Sequence, residues 1–244
     1  MIVLIDVGST RLKIAFWDGA LHLEEPITHH DKPLEFIAQK SWRGVSAVWI
    51  SLVPRMNDVA GWTVAVQQKF GISPQFACSQ AEWNGLRSSY AQPEKLGTDR
   101  WLTMVALWNE VRQPFCVIGA GTALTFDRVD AQGQHLGGVI APGFGSMHRA
   151  LLQATRTNAV DEPHRYDDEL GRDSMSAIRQ GAFFATMGVI DQALRAPGSV
   201  PQERRIITGG DALALMPHLA QGLEHRPYLV LHGLLALAQS SQHA

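Results

Sequence analysis

Two similar segments, 113 residues apart, constrain the fold of this 244-residue chain more than any other feature. In the first segment, an apolar run at 1–5 meets a polar turn at 6–10, and alternating apolar and polar residues follow. The second segment repeats this order, with a glycine turn at 119–122 before a returning strand at 123–129. Alternation with a period of two is typical of half-buried strands. An offset close to half the chain length predicts that one fold is duplicated, since solenoids repeat at much shorter periods.

The remaining elements predict a mixed α/β unit in each half of the chain. In the first half, the apolar patterns and turn residues predict strands at 21–27, 45–53 and 75–78, and helices at 34–40 and from 57 or 58 to 70. In the second half they predict strands at 135–141 and 205–208, and helices at 146–155, 174–194, 211–220 and 227–240. Meandering strands followed by alternating helices and strands are typical of α/β domains. We therefore expect one domain at 1–113 and a second at 114–244.

Composition and charge exclude several classes of protein. Hydrophobic residues make up 45% of the chain, enough to offset the entropy of folding, so we expect a globular protein. The 21 basic and 23 acidic side chains give a net charge of -2 without a basic block, which argues against a nucleic-acid partner. No apolar run approaches the ~20 residues that span a bilayer, and no basic segment precedes the first apolar run. We therefore expect a soluble, cytoplasmic protein without a membrane partner. Cys78 and Cys116 lack the CxxC spacing of a zinc site and predict buried, reduced thiols.

The two glycine turns predict phosphate binding. Glycine lets the backbone approach a phosphate closely, and the hydroxyls of Ser9, Thr10 and Thr122 can donate to its oxygens beside backbone N–H groups. Asp6, at the end of the first strand, is placed to hold a hydrated divalent ion that bridges such phosphates. Each turn alone is a weak signal, and an ordinary strand connection is the alternative for either. Their pairing across a duplication favours a nucleotide triphosphate.

Two further segments, at 97–100 and 208–210, have either a binding role or an ordinary structural role. Thr98 or Asp99 can cap a helix that runs to 111, and the helix dipole favours a carboxylate in a first turn without any catalytic role. Arg100, directly beside it, cannot be its partner on the same helix face, and Gly97 leaves room for a group to dock against the helix start. The turn Thr208-Gly209-Gly210 removes side chains that would block a flat ring, although an ordinary strand-to-helix connection explains its spacing as well.

Five motifs occur in one order along the whole chain. They are Asp6-Val7-Gly8-Ser9-Thr10, the segment from Tyr90 to Trp101 with its Leu96-Gly97-Thr98-Asp99-Arg100, the strand segment Gly121–Asp127, the segment Gly137–Gly143, and Thr208-Gly209-Gly210. Together they resemble the type III pantothenate kinases, a family of the acetate kinase, sugar kinase, Hsc70 and actin superfamily. The resemblance implies an α/β fold of two duplicated RNase H-like (actin-type) domains with the active site in the cleft between them. It also implies ATP-dependent phosphorylation of pantothenate at its terminal hydroxyl, the first step towards coenzyme A.

The resemblance further implies roles for individual residues. Asp99 matches the family's proton acceptor, which faces the attacking hydroxyl. The residues that match pantothenate contacts are Tyr90, Gly97, Thr98, Asp99, Arg100 and Ser174. Of these, Ser174 matches a residue that reaches the site from a partner subunit, which implies a homodimer. The residues that match the ATP phosphate site are Asp6, Val7, Gly8, Ser9, Thr10, Arg11, Lys13 and Thr122, and Asp6 also matches a residue that holds Mg²⁺ through water.

One position departs from the family's pattern. In many members the second phosphate turn begins with an aspartate that helps to bind a monovalent cation, whereas this chain has Gly119. Because glycine offers no carboxylate, we expect an altered or absent cation site and little or no requirement for added K⁺ or NH₄⁺. The same departure keeps open a nucleotide-binding regulatory or accessory protein that has lost the chemistry. A sugar kinase of the same superfamily is a second alternative.

Overall fold

The chain forms two compact units, seen here in a computed structural model that describes residues 1–28, 33–53, 58–155, 169–219 and 222–241. The first unit contains Met1–Arg112 together with the C-terminal segment Tyr228–Ala244. The second unit contains Gln113–Pro227. The C-terminal segment therefore belongs to the first unit, which corrects its assignment to a second domain at 114–244.

Both units combine strands with helices. The strands of the first unit are β1 (Ile2–Val7), β2 (Arg11–Trp17), β3 (Leu21–Leu23), β4 (Ile27–Thr28), β5 (Ala47–Leu52), β6 (Gln75–Phe76), β7 (Glu82–Trp83) and β8 (Leu86–Arg87). The strands of the second unit are β9 (Phe115–Ala120), β10 (Ala123–Val129), β11 (His135–Pro142), β12 (Arg204–Thr208) and β13 (Leu223–His225). The helices are α1 (Pro33–Ala38), α2 (Val59–Phe70), α3 (Thr98–Val111), α4 (Phe144–Ala154), α5 (Ser174–Leu194), α6 (Ala212–Leu215) and α7 (Leu229–Ser240).

The main sheets of the two units have the same topology. Their strand orders are β3-β2-β1-β5-β6 and β11-β10-β9-β12-β13. In both, the first three strands are antiparallel, and the last two run parallel to the central strand. Strands β1 and β9 keep the 113-residue offset of the sequence along their whole length. Parallel neighbours need crossover connections, which helices supply in both units. The predicted duplication of an α/β fold is confirmed.

Alternation along β1 decides which side chains each face of the first sheet buries. Val3, Ile5 and Val7 lie in one apolar cluster with Val66 of α2. The side chains between them point to the opposite face, where α3 and α7 pack against the sheet. Asp6, the last but one residue of β1, therefore lies on the face that α3 and α7 cover.

A buried ion pair ties the elements of the second unit together. The guanidinium of Arg128, on β10, donates to the carboxylate of Glu203, just before β12. It also donates to the carbonyls of Leu194 and Ala196 at the C-terminal end of α5, where carbonyls lack partners within the helix. Charge-assisted bonds of this kind offset the cost of burying both charges. The end of α5 is thereby held against the sheet.

The two cysteines are free, but they differ in exposure. Cys78 is exposed and Cys116 is buried, so the expectation of buried thiols is correct for Cys116 and wrong for Cys78. Burial raises the pKa of the Cys116 thiol to about 12, which leaves it protonated and unreactive at neutral pH.

Within the described ranges, every helix is too short or too polar to cross a bilayer.

The predicted elements agree best where no proline interrupts them. Helix α5 has the predicted bounds. The strand predicted at 21–27 is split into β3 and β4, because Pro26 lacks the N–H that a continuous ladder needs. The helix predicted at 211–220 is short and continues as a 3₁₀ turn around Pro217. Position 220, the predicted end of that helix, and position 57, one of two predicted caps for α2, lie outside the described residues. The other candidate, Asp58, does cap α2 and accepts from the Gly61 N–H at 2.8 Å.

Candidate active site

The first glycine turn joins β1 to β2 and exposes its polar groups. The Gly8 N–H donates to the Arg11 carbonyl at 3.1 Å, and a Cβ at Gly8 would lie only 3.0 Å from that oxygen. Ser9, Thr10 and Arg11 are exposed, whereas Val7 is buried as the last residue of β1. A tight turn with exposed hydroxyls directly after a buried strand has the chemistry of an anion-binding loop.

A buried carboxylate lies beneath this turn. Asp6 is 3% exposed, and the Lys13 ammonium donates to its Oδ2 at 3.1 Å from the neighbouring position on β2. Burial raises the pKa of Asp6 above its ordinary value of 3.8, although the Lys13 charge and hydrogen bond lower it. The negative charge of Asp99 also raises the pKa of Asp6, although less than burial does. The Asp6–Lys13 pair therefore lies within electrostatic range of Asp99, which is 93 residues further along the chain.

The second glycine turn, between β9 and β10, is hydrogen-bonded to the start of α4. The Gly121 N–H donates to the Ala123 carbonyl at 3.1 Å, as its counterpart Gly8 does in the first unit. The Thr122 carbonyl accepts from the Gly143 N–H at 3.0 Å and from the Ser146 hydroxyl at 2.7 Å, so the turn is attached to the start of α4. A Cβ at Gly143 would overlap the Gly121 carbonyl, which explains the glycine there.

The third glycine motif reaches the same strand end. Gly209 has φ +105°, and a Cβ there would overlap the backbone of Ala120, the last residue of β9. Only glycine adopts this conformation readily and allows so close an approach. The Asp211 N–H then donates to the Ala120 carbonyl at 3.1 Å. The glycine motifs at 121, 143 and 209 therefore converge around the end of β9, although the sequence spreads them over 89 residues.

Gly119 occupies the position that corresponds to Asp6 in the first unit. Its partner across the antiparallel pair is Thr125, which corresponds in the sheet to Lys13. A Cβ at Gly119 would overlap Thr125 Oγ1, so the hydroxyl already fills the place where a longer side chain would begin. Gly119 itself offers no carboxylate, and a longer side chain there would have to displace the Thr125 hydroxyl.

The segment from 79 to 97 forms a closed loop before α3. The Ser79 hydroxyl donates to the Leu96 carbonyl at 2.8 Å and closes the neck of the loop. The hairpin β7–β8 turns at Asn84-Gly85, both with positive φ, and the Asn84 carbonyl accepts from the Trp108 indole at 3.1 Å and from the Arg112 guanidinium. No hairpin is predicted here from the sequence, although Asn-Gly is a strong signal for such a turn. The loop is thereby anchored along α3.

The far side of the same loop meets the start of α3. The Arg100 guanidinium is buried and donates to the Tyr90 hydroxyl at 3.0 Å. The helix begins at Thr98 with Gly97 as its N-cap, so the prediction that Thr98 or Asp99 caps it is wrong. Asp99 Oδ1 accepts from the Arg100 N–H at 2.9 Å and uses the space beside Gly97, where a Cβ would lie 2.8 Å from that oxygen. Tyr90, Gly97, Asp99 and Arg100 therefore form one cluster.

Ser174 lies in the second unit, as the first residue of α5, and is exposed. The residue before it caps the helix. The Ser176 hydroxyl accepts from the Asp173 N–H at 3.2 Å, while the Asp173 carboxylate accepts from the Ser176 N–H at 2.9 Å and from the Ser176 hydroxyl at 2.8 Å. These hydrogen bonds lower the pKa of Asp173. The capping box leaves the Ser174 hydroxyl outside the helix's own cap.

Comparison with known proteins identifies the family. The sequence model of the type III pantothenate kinase family matches residues 2–196. A type III pantothenate kinase from Nitrosococcus oceani is 32% identical over 259 aligned residues, which cover 99% of this chain and 95% of the relative.

Two solved structures share the fold at low identity. A putative Baf family transcriptional activator from Campylobacter jejuni has a TM-score of 0.61 at 17% identity, covering 99% of this chain and 100% of its own. The activator of 2-hydroxyisocaproyl-CoA dehydratase from Clostridium difficile, solved with bound ADPNP, has a TM-score of 0.56 at 11% identity, covering 99% and 96%. At these identities the structures support the fold alone. The family match and the near-complete alignment together show that this chain belongs to the type III pantothenate kinase family.

Proposed function

We propose that this protein transfers the γ-phosphoryl group of ATP to the terminal hydroxyl of pantothenate, the first step of coenzyme A synthesis. Family membership supports the reaction. The single structural observation that supports the proposal is the buried Asp6 carboxylate, paired with Lys13, just before the exposed hydroxyls of the first glycine turn. Phosphoryl transfer needs mainly positioning and charge neutralisation, and this arrangement can supply both.

Asp99 is the proposed proton acceptor for the attacking hydroxyl. Its Oδ1 accepts from the Arg100 N–H, which orients the carboxylate at the helix start. The Arg100 guanidinium, oriented by the Tyr90 hydroxyl, is the group of this cluster that suits the carboxylate of pantothenate. Gly97 and Thr98 complete the proposed pantothenate contacts beside this cluster.

ATP is proposed to bind at the two glycine turns. The residues assigned to its phosphates are Asp6, Val7, Gly8, Ser9, Thr10, Arg11, Lys13 and Thr122. Their exposed hydroxyls and backbone N–H groups match the chemistry of phosphate oxygens.

The residues beneath the first turn fit a hydrated Mg²⁺. The described residues contain no cluster of three or more metal-ligating side chains, whereas Mg²⁺ on a nucleotide needs only one or two carboxylates and keeps several waters. Asp6 would hold it through water, and bound Mg²⁺ would neutralise phosphate charge during transfer. Because Gly119 supplies no carboxylate, we propose that catalysis does not require a monovalent cation.

The protein is also proposed to act as a homodimer. Ser174 is exposed at the start of α5, as a residue that contacts pantothenate in a partner subunit must be. Specific activity should then fall on dilution in parallel with the dimer fraction measured by sedimentation. Flat specific activity in samples that sediment as monomers would refute the role of Ser174.

A coupled ADP-release assay tests the proposed function. Purified protein with ATP and Mg²⁺ should release ADP when pantothenate is added and should not when a hexose replaces it. Turnover on the hexose alone would favour a sugar kinase. ATP binding without turnover on either substrate would favour a regulatory or accessory protein.

A further inference from the structure

Three strand ends in the first sheet align their side chains in one row. Asp6 pairs with Lys13 on one side and with Ser51 on the other, through the β1–β2 and β1–β5 pairings. Residues paired directly across neighbouring strands point to the same face of a sheet. Ser51 therefore lies beside Asp6, on the face that α3 covers.

The Ser51 hydroxyl is buried without a partner. Ser51 is 1% exposed, and its Oγ has no hydrogen-bond partner among the described residues. Buried polar atoms are nearly always paired, and an unpaired one costs free energy that the fold must offset. A missing partner at this position suggests that a polar group binds here in the working protein.

The neighbours of Ser51 indicate what kind of group this is. The Asp6 carboxylate is buried beside Ser51, and the Lys13 ammonium donates to its Oδ2 at 3.1 Å. A hydroxyl beside a carboxylate can donate to it or accept from a water molecule. A hydrated divalent cation presents both positive charge for Asp6 and water hydrogens for Ser51.

We propose that Ser51 is a further binding residue of the metal–nucleotide site, where its hydroxyl pairs with the water shell of the divalent ion that Asp6 holds. The inference rests on the proposed function for the identity of the ligand. It adds a residue on β5, outside both glycine turns, to the set that binds Mg·ATP. A single serine within an apolar strand carries no sequence signal for this role, because the pairing with Asp6 arises only from the strand register.

The test separates ligand binding from stability. Ser51→Ala should leave the melting temperature of the ligand-free protein unchanged or higher, because it removes an unpaired polar atom. It should weaken binding of Mg²⁺ with a non-hydrolysable ATP analogue about tenfold in calorimetry without pantothenate. Binding of the analogue in EDTA should change much less. Ser51→Thr, which keeps the hydroxyl, should bind Mg²⁺ and the analogue within about twofold of wild type.

Thr186→Val is the matched control. The Thr186 hydroxyl is equally buried but donates to the Ala182 carbonyl at 2.8 Å within α5. This variant should melt at a lower temperature and keep wild-type affinity for Mg²⁺ and the analogue.

Three outcomes would overturn the inference. One is unchanged affinity of Ser51→Ala for Mg²⁺ with the analogue, and another is an equal loss of affinity in EDTA. In either case, the proposed function would still stand as long as the wild-type protein binds Mg²⁺ with the analogue. A wild-type protein that binds no Mg·ATP at all would overturn both.

Discussion

The strand ends before the two glycine turns have the same topology and opposite chemistry. In the first unit, the row across three strands is Lys13, Asp6 and Ser51, with an ion pair between the buried Asp6 carboxylate and the partly exposed Lys13 ammonium. In the second unit the corresponding row is Thr125, Gly119 and Thr208, without a charge. A duplicated fold can therefore place its electrostatic chemistry in one copy and leave the other to supply neutral donors and close backbone approach. Variants at the two strand ends test this asymmetry.

The largest effect is expected at the charged site. Asp99→Asn keeps the size of the side chain but cannot take the proton of the attacking hydroxyl, so kcat should fall by about 10²–10⁴-fold. Affinity for ATP, measured by calorimetry, should stay close to wild type. Near-full activity would mean that Asp99 is not the proton acceptor and has only a structural role, through its hydrogen bond with the Arg100 N–H.

Asp6→Asn should separate two roles of one carboxylate. The Mg²⁺ concentration for half-maximal activity should rise by about 10–100-fold, as for other residues that hold a metal indirectly. By contrast, the same substitution should not lower the free energy of unfolding at neutral pH. Because the folded protein raises the pKa of Asp6, ionising it costs stability as the pH rises above 3.8 and through that raised pKa.

Denaturant unfolding at several pH values checks the second role. Asp6→Asn should be at least as stable as wild type at pH 7–8, and the difference should shrink as the pH falls through the pKa of Asp6. Greater stability of the wild type at neutral pH would mean that its pairing with Lys13 outweighs burial.

The neutral site should resist a charge. Gly119→Asp puts a Cβ onto Thr125 Oγ1 and should lower the free energy of unfolding by about 1–3 kcal/mol, the usual cost of overpacking. Adding Thr125→Ala should recover most of that loss. Wild-type stability in the single variant would show that Thr125 moves aside freely.

The smallest expected effect is that of K⁺. Initial rates at fixed ionic strength, balanced with a bulky organic cation, should change less than about twofold as KCl is raised, since no carboxylate attracts the ion at Gly119. A steep rise from a near-zero baseline would show a cation site built without that carboxylate.

The sequence predicts the repeated strands and the glycine turns because both depend on local patterns. Apolar alternation marks β2 and β10, and the spacing of the turns follows from the duplication. Even the Asn84-Gly85 hairpin was open to prediction from its dipeptide.

Other features depend on contacts that are distant in sequence. Apolar periodicity identifies α7 but does not say which sheet buries it, and it packs in the first unit. Likewise, the overlap between Gly119 and Thr125 and the pairing of Ser51 with Asp6 follow from strand register, which the pattern of single strands leaves open.

Mass spectrometry of the reaction product tests the central claim most directly. Purified protein incubated with pantothenate and Mg·ATP should convert pantothenate to a product heavier by one phosphoryl group, in a one-to-one ratio with ADP. ADP formed without that product, or no ADP under conditions where ATP binds, would contradict the assignment of phosphoryl transfer to pantothenate.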